Sequence, residues 1–284
     1  MFKTLISTDV LASQRDESWT IVDCRYDLRD VPWGALRYQE GHIPGAVYAG
    51  LSHHLSSSPT GTNGRHPLPC VEDIEATFGR LGIGDGTQVI AYDQDSGMFA
   101  SRLWWMLRYL GHDAVAVLDG GWAKWTSEGR PVQPGEEHRP PTVFTARRRK
   151  ELRVLSDQVR TNLGDGPLLL VDARSPERFE GVVEPIDRIA GHIPGAVNHP
   201  HKRNVADGGV LLPVETLREQ FADTLGGRSA DQVVMYCGSG VTACHNLLAM
   251  EYAGFEGGKL YPGSWSEWST DPTRPVETGP ARKP

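Results

Sequence analysis

Cys237 opens the run Cys237-Gly238-Ser239-Gly240-Val241-Thr242-Ala243, between an apolar stretch from Gln232 to Tyr236 and a helical pattern from Val241 to Ala253. Two glycines in so short a loop let the backbone curl until successive N–H groups face one point. The helix behind adds the positive end of its dipole. Such a nest favours an anion, and the thiolate is the form of cysteine that attacks. The same donors would hold a second sulfur bound to the first, or the charge that develops as sulfur moves. Cysteine is often only a small core residue. Its place here, at a strand end before a glycine-rich turn and a helix start, expects a nucleophile instead. Gly238, Gly240, Val241 and Thr242 would line the space for its substrate.

Cysteine phosphatases also set a thiolate between strand and helix, but they need an arginine six residues on to grip phosphate. Ala243 stands there, which removes that reading. The other cysteines, Cys24, Cys70 and Cys244, form no Cys-x-x-Cys pair and no clustered ligand set. Neither a disulfide framework nor a structural metal is expected, and reduced thiols suit the cytoplasm.

The elements that must position Cys237 occur twice. Gly41-His42-Ile43-Pro44-Gly45-Ala46-Val47 recurs as Gly191-His192-Ile193-Pro194-Gly195-Ala196-Val197. Ahead of each lies an apolar run ending in Asp-x-Arg, Asp23-Cys24-Arg25 and Asp172-Ala173-Arg174. Val89-Ile90-Ala91-Tyr92 answers Val233-Val234-Met235-Tyr236, and Gly121-Trp122-Ala123-Lys124-Trp125 answers Ser264-Trp265-Ser266-Glu267-Trp268. Four matches in one order imply a tandem duplication. The copies are expected over residues 1–133 and 154–284, joined by a proline-rich, charged linker over 134–153 that contains Arg147-Arg148-Arg149-Lys150. Strand patterns (Gln88 to Tyr92, Ala114 to Leu118, Gln232 to Tyr236, Lys259 to Tyr261) alternate with helical ones (Ala100 to Leu110, Val241 to Ala253). That alternation predicts an α/β fold: two domains, each a mostly parallel sheet with helices on both faces. Sites in such sheets lie beyond the carboxyl ends of strands, so the loops after Tyr92 and Tyr236 are singled out. The first of these reads Asp93-Gln94-Asp95-Ser96-Gly97-Met98, with Asp93 in the place of the cysteine. Two acids there would repel an anionic substrate, and the first copy is expected to be inert.

The 284 residues carry 39% hydrophobic and 23% charged side chains and a net charge of −7. That acidity argues against a nucleic-acid partner, which needs a basic surface. No apolar run is long enough to span a membrane, and the N-terminus lacks the pattern of a secretory signal.

The paired Gly-His-Ile-Pro-Gly-Ala segments and the Cys237 loop resemble the two-domain rhodanese sulfurtransferases, from about Leu5 to Trp268. The resemblance implies two rhodanese-like domains, the second catalytic, with sulfur carried as a Cys237 persulfide and no metal or organic cofactor. The partners so implied are a small anionic sulfur donor and a thiol or cyanide acceptor, a thioredoxin-like protein among them. Thiosulfate-preferring members place basic residues directly after the cysteine, whereas mercaptopyruvate members carry Gly-Ser/Thr-Gly, as Gly238-Ser239-Gly240 does. The resemblance makes Ser239 a proton relay with a histidine, matched by His66, and an aspartate, at whose place Ser52 stands. It assigns two arginines to the donor's anionic end: Arg178, and one directly after a Glu-Pro pair. Ile186 follows Glu184-Pro185, with Arg188 two residues later as the candidate. Thiosulfate as donor, or a persulfide carrier with little turnover, remain alternative readings.

His42 and His192 recur in both copies and are expected to be structural. The tryptophans should fill core and interface. Cys244 is expected at a half-buried helix position rather than as a resolving thiol. His199 and His201-Lys202-Arg203 either line the mouth of the site or form a solvated loop.

Overall fold

A computed structural model describes residues 1–164 and 166–280, so Asp165 and the last four residues of the segment 154–284 lie outside it. The chain forms two compact units. The first comprises Met1–Ser57, Leu68–Arg149 and Val205–Leu211; the second comprises Ser58–Pro67, Lys150–Asn204 and the residues from Leu212 onward. The linker sequence up to Arg149 therefore packs with the first unit, and the short segment Ser58–Pro67 with the second.

The first unit holds strands β1 (Leu5–Ile6), β2 (Thr20–Asp23), β3 (Val47–Tyr48), β4 (Val89–Tyr92) and β5 (Val115–Leu118). They form one parallel sheet in the order β1-β5-β4-β2-β3. In the second unit, β6 (Leu169–Asp172), β7 (Val197–Asn198), β8 (Val233–Tyr236) and β9 (Lys259–Leu260) form a parallel sheet ordered β7-β6-β8-β9. Helices α1 (Thr8–Gln14), α2 (Trp33–Glu40), α3 (Val71–Arg80), α4 (Ala100–Tyr109) and α5 (Gly121–Ser127) belong to the first unit. Those of the second are α6 (Ser156–Thr161), α7 (Pro176–Phe179), α8 (Val214–Leu225), α9 (Thr242–Tyr252) and α10 (Ser264–Trp268). No helix among the described residues is long and apolar enough to cross a membrane.

Every residue of β2, β4, β6 and β8 is buried, which is why these runs read as continuous β-branched and aliphatic sequence rather than alternating. α9 is apolar almost all round, because Ala243 to Met250 is buried throughout. The two cores repeat one another. Ile43, Ala46, Ile90, Tyr92 and Trp125 pack in one unit, and Ile193, Ala196, Val234, Tyr236 and Trp268 in the other. Truncating such a buried tryptophan costs about 3–5 kcal/mol.

The duplicated Asp-x-Arg is a buried ion pair at the carboxyl ends of the central strands. Arg25 Nη2 lies 2.6 Å from Asp23 and beneath Trp122, with 4.3 Å from guanidinium to ring. Arg174 Nη2 lies 2.7 Å from Asp172, and its guanidinium carbon lies 4.8 Å from the centre of the Trp265 ring. Trp122 and Trp265 thus cap arginines inside their own units. Losing one partner of such a pair costs about 3–5 kcal/mol, since the other is left charged and buried. His42 and His192 are structural in the same sense: their Nδ1 atoms bond the Tyr38 and Phe179 carbonyls at 2.9 and 2.7 Å.

Candidate active site

In the second unit Asp172 and Tyr236 are in register at the carboxyl ends of adjacent strands, so the chain leaves β8 at Cys237 beside the buried Asp172–Arg174 pair. The backbone there is tied at three points. Cys237 N–H donates to Ser264 Oγ at 3.1 Å, and the Cys237 and Gly238 carbonyls accept from Trp265 and Ser266 N–H, each at 2.9 Å. The Gly240 N–H donates to Cys237 Sγ at 3.2 Å, so the curled loop turns a donor onto the sulfur. Gly240 has φ +73°, and a Cβ there would lie 2.5 Å from the Pro262 carbonyl oxygen, so only glycine fits. Cys244 is fully buried, beyond the half-burial expected of it, and donates its S–H to the Gly240 carbonyl at 3.2 Å. Cys244 thus braces the loop from α9. Val241 and Thr242 form the N-terminus of α9.

Ser239 and His66 lie 173 positions apart, yet Ser239 Oγ stands 2.9 Å from His66 Nδ1, and both residues are largely buried. Ser58–Pro67 therefore lays its histidine on the loop of the second unit. Ser52, at the place of the relay aspartate, bonds the Tyr26 hydroxyl at 2.5 Å within the first unit.

Arg178 Nη2 pairs with Glu184 at 2.7 Å and with Asp187 at 3.1 Å. Glu184 also accepts the N–H groups of Ile186 and Asp187. Burial works against the charge on Glu184, but these donors hold its carboxyl below the ordinary range. Asp187 is pushed the other way, upward, chiefly by burial. The second guanidinium at the loop is not that of Arg188, which is exposed. It is Arg65, ion-paired to Asp187 and with Nη2 2.8 Å from where a Cβ on Gly238 would stand.

Two further residues escaped the sequence reading. Ser264 holds the Cys237 N–H from a left-handed backbone, φ 54°, rare for a residue with a Cβ. The signal was present: the repeat puts Ser264 opposite Gly121, which has φ 53°. Asp187 ties both arginines and lies between two residues that were weighed. His199 is corrected. It neither lines a mouth nor sits in a solvated loop, being fully buried between Thr224 Oγ1 and Asn204 Oδ1, each 2.8 Å away. Burial pushes its pKa down to about 4. Among the described residues no group of three or more His, Cys, Asp or Glu side chains is placed to hold a metal ion.

The first unit ties the equivalent loop in the same way, with another side chain in it. The Asp93 carboxylate accepts N–H bonds from Asp95 (3.2 Å), Gly97 (2.9 Å), Phe99 (2.6 Å) and Ala100 (3.1 Å). The Asp93 and Gln94 carbonyls accept from Trp122 and Ala123 N–H at 2.9 Å, the counterparts of Trp265 and Ser266. Burial pushes the Asp93 pKa up to about 6, although the amides favour its anion.

Both halves of the chain match one family profile, described as Rhodanese-like domain, over residues 7–128 and 155–271. A probable 3-mercaptopyruvate sulfurtransferase of Pseudomonas aeruginosa is 45% identical over 97% of this chain and 98% of its own length. A putative thiosulfate sulfurtransferase of Mycobacterium tuberculosis is 39% identical over 98% of each chain. Among solved structures, the 3-mercaptopyruvate sulfurtransferase from Leishmania major superposes with a TM-score of 0.84 at 31% identity, over 94% of this chain and 74% of that one.

Proposed function

The chain belongs to the rhodanese-like family, and from that premise we propose that it is a sulfurtransferase which takes sulfur from 3-mercaptopyruvate onto Cys237 and passes it to a thiol or cyanide. The observation that carries the reading is the Ser239–His66 pair, 2.9 Å apart, on the loop whose Gly240 N–H faces the Cys237 sulfur. The Cys237 thiolate attacks the donor sulfur, forming the S–S bond as the C–S bond breaks. The electron pair leaves on carbon as the pyruvate enolate. That carbanion must be protonated, and Ser239 supplies the proton, made good through His66. The loop donors hold the outer sulfur of the resulting persulfide. An acceptor thiolate then attacks that outer sulfur, leaving as its own persulfide and returning the Cys237 thiolate. A thioredoxin-like protein, with an exposed reactive thiol, suits the acceptor role. The cytoplasm suits the chemistry too, since Cys24, Cys70, Cys237 and Cys244 are all free thiols.

Thiosulfate is the second donor to be weighed, because Arg65 and Arg178 bring positive charge over Gly238, where the loop sequence has none. The two donors part at the leaving group, since sulfite needs no proton on carbon. Pyruvate release and sulfite release, each measured with a reduced thiol acceptor, test the reading. A higher kcat/KM for mercaptopyruvate supports it, and faster turnover of thiosulfate would overturn the choice of donor.

A further inference from the structure

Resting on the sulfurtransferase reading, we propose that Arg65 is the second guanidinium that binds the anionic end of the sulfur donor. The resemblance gives that part to a residue after Glu184-Pro185, yet Ile186 stands there half exposed and Arg188 points outward as an exposed residue. Arg65 arrives instead from the other side of the loop, on the segment that delivers His66.

Its placement is built in. The Arg65 N–H donates to Ser266 Oγ at 3.0 Å, the residue whose own N–H holds the Gly238 carbonyl. Gly64 takes φ +86°, and a Cβ there would lie 2.9 Å from the Gly263 carbonyl oxygen, so the strand of chain carrying Arg65 lies directly against the turn behind the nucleophile. Asp187 accepts Arg65 Nη1 on one carboxylate oxygen and Arg178 Nη2 on the other, which sets the two guanidiniums side by side. The atoms nearest the Gly238 Cβ position are Arg65 Nη2 and Arg178 Nη1, at 2.8 and 3.6 Å. Neither is an atom that carries the ion pairs to Glu184 and Asp187. Two outward donors above the residue next to Cys237 form a grip for a carboxylate, and guanidinium provides a planar fork that lysine lacks. A Cβ on Gly238 would crowd Arg65 Nη2. Asp187 and Glu184 are the acids facing the pair, and their bonds leave Arg65 Nη2 and Arg178 Nη1 turned to the loop.

The test is steady-state turnover of 3-mercaptopyruvate by R65A, R65K and R188A, with intact mass of each protein after exposure to the donor. R65A is expected to raise KM about 10- to 100-fold, the loss of a charge-assisted fork, with kcat within about threefold of wild type. R65K keeps the charge without the fork and should lie between, with melting unchanged, which separates lost binding from lost folding. R188A should raise KM far less than R65A does. An R65A or R65K enzyme that takes up sulfur with wild-type KM overturns the assignment of Arg65 while leaving the sulfurtransferase reading intact. A wild-type protein that gains no sulfur on Cys237 overturns that reading, and the role of Arg65 with it.

Discussion

The loops after β4 and β8 are tied alike at their first two residues and hold different side chains. In both, the first residue after the strand and the one after it give their carbonyls to two consecutive N–H groups at the following tryptophan. In the first, four amides converge on one point, and in the second the Gly240 N–H turns onto the sulfur. The first loop fills that convergence with its own Asp93 carboxylate, fixed by four N–H donors. The second leaves it to Cys237 Sγ, which takes one, from Gly240. A permanently occupied nest is a structural brace; a nest holding a sulfur with one donor spent can accept a second atom. The duplicated copy seats a carboxylate where the second seats a sulfur, and the filled space adds to the acids a second reason to expect that copy to be inert.

Moving occupants between the loops gives the largest effect. C237D should seat a carboxylate in the second nest, abolish sulfur uptake and turnover, and leave the melting temperature within a few degrees of wild type. Residual turnover of the variant would break the comparison.

Next comes acid stability, to which the residue after the edge strand contributes differently in the two units. His199 N–H donates to the Asp172 carbonyl as Ala49 N–H donates to the Asp23 carbonyl, so the second unit buries a histidine where the first has a methyl group. With a folded pKa near 4 against an ordinary 6.5, the unfolded chain binds the extra proton first. The contribution of His199 to stability is full above pH 6.5 and is lost as the pH drops from there toward 4, by up to about 3 kcal/mol. Amide exchange in β6 and β8 should accelerate over that range more than in β2 and β4, and H199Q should flatten the difference.

Of similar size is S239A, expected to lower kcat on mercaptopyruvate about 100-fold and on thiosulfate by no more than about threefold, because only the enolate needs a proton. Equal losses on both donors would remove Ser239 from proton transfer.

The smallest effect on activity belongs to D93C. It strands four amide donors and should cost about 1–3 kcal/mol of stability, yet leave sulfur transfer unchanged, since Gln94, Asp95 and Ser96 stand where Gly238, Ser239 and Gly240 serve the active loop.

Much of this was legible in the sequence because the informative features are local or repeated. The strands over Val89–Tyr92 and Val233–Tyr236 and the helix over Thr242–Tyr252 lie within one residue of their expected bounds at each end. Buried parallel strands and an apolar helix leave continuous patterns. The Cys237 loop was readable for the same reason, its glycines and cysteine being contiguous. The Ser239–His66 contact came through resemblance alone, as no pattern links residues so far apart. Arg65 carries no such local signal, because its contacts with Asp187 and Ser266 cross 122 and 201 positions. His199 was misread since polarity in a loop after a strand says nothing of burial; its fate depends on Thr224 and Asn204 closing over it.

The central claim, that the second nest carries sulfur and the first does not, is tested most directly by peptide mapping of the protein after brief exposure to 3-mercaptopyruvate without acceptor. One added sulfur atom per chain on the peptide containing Cys237, absent in C237S, is the predicted result. Sulfur on Cys24, Cys70 or Cys244 instead, or equal uptake by C237S, would contradict the account.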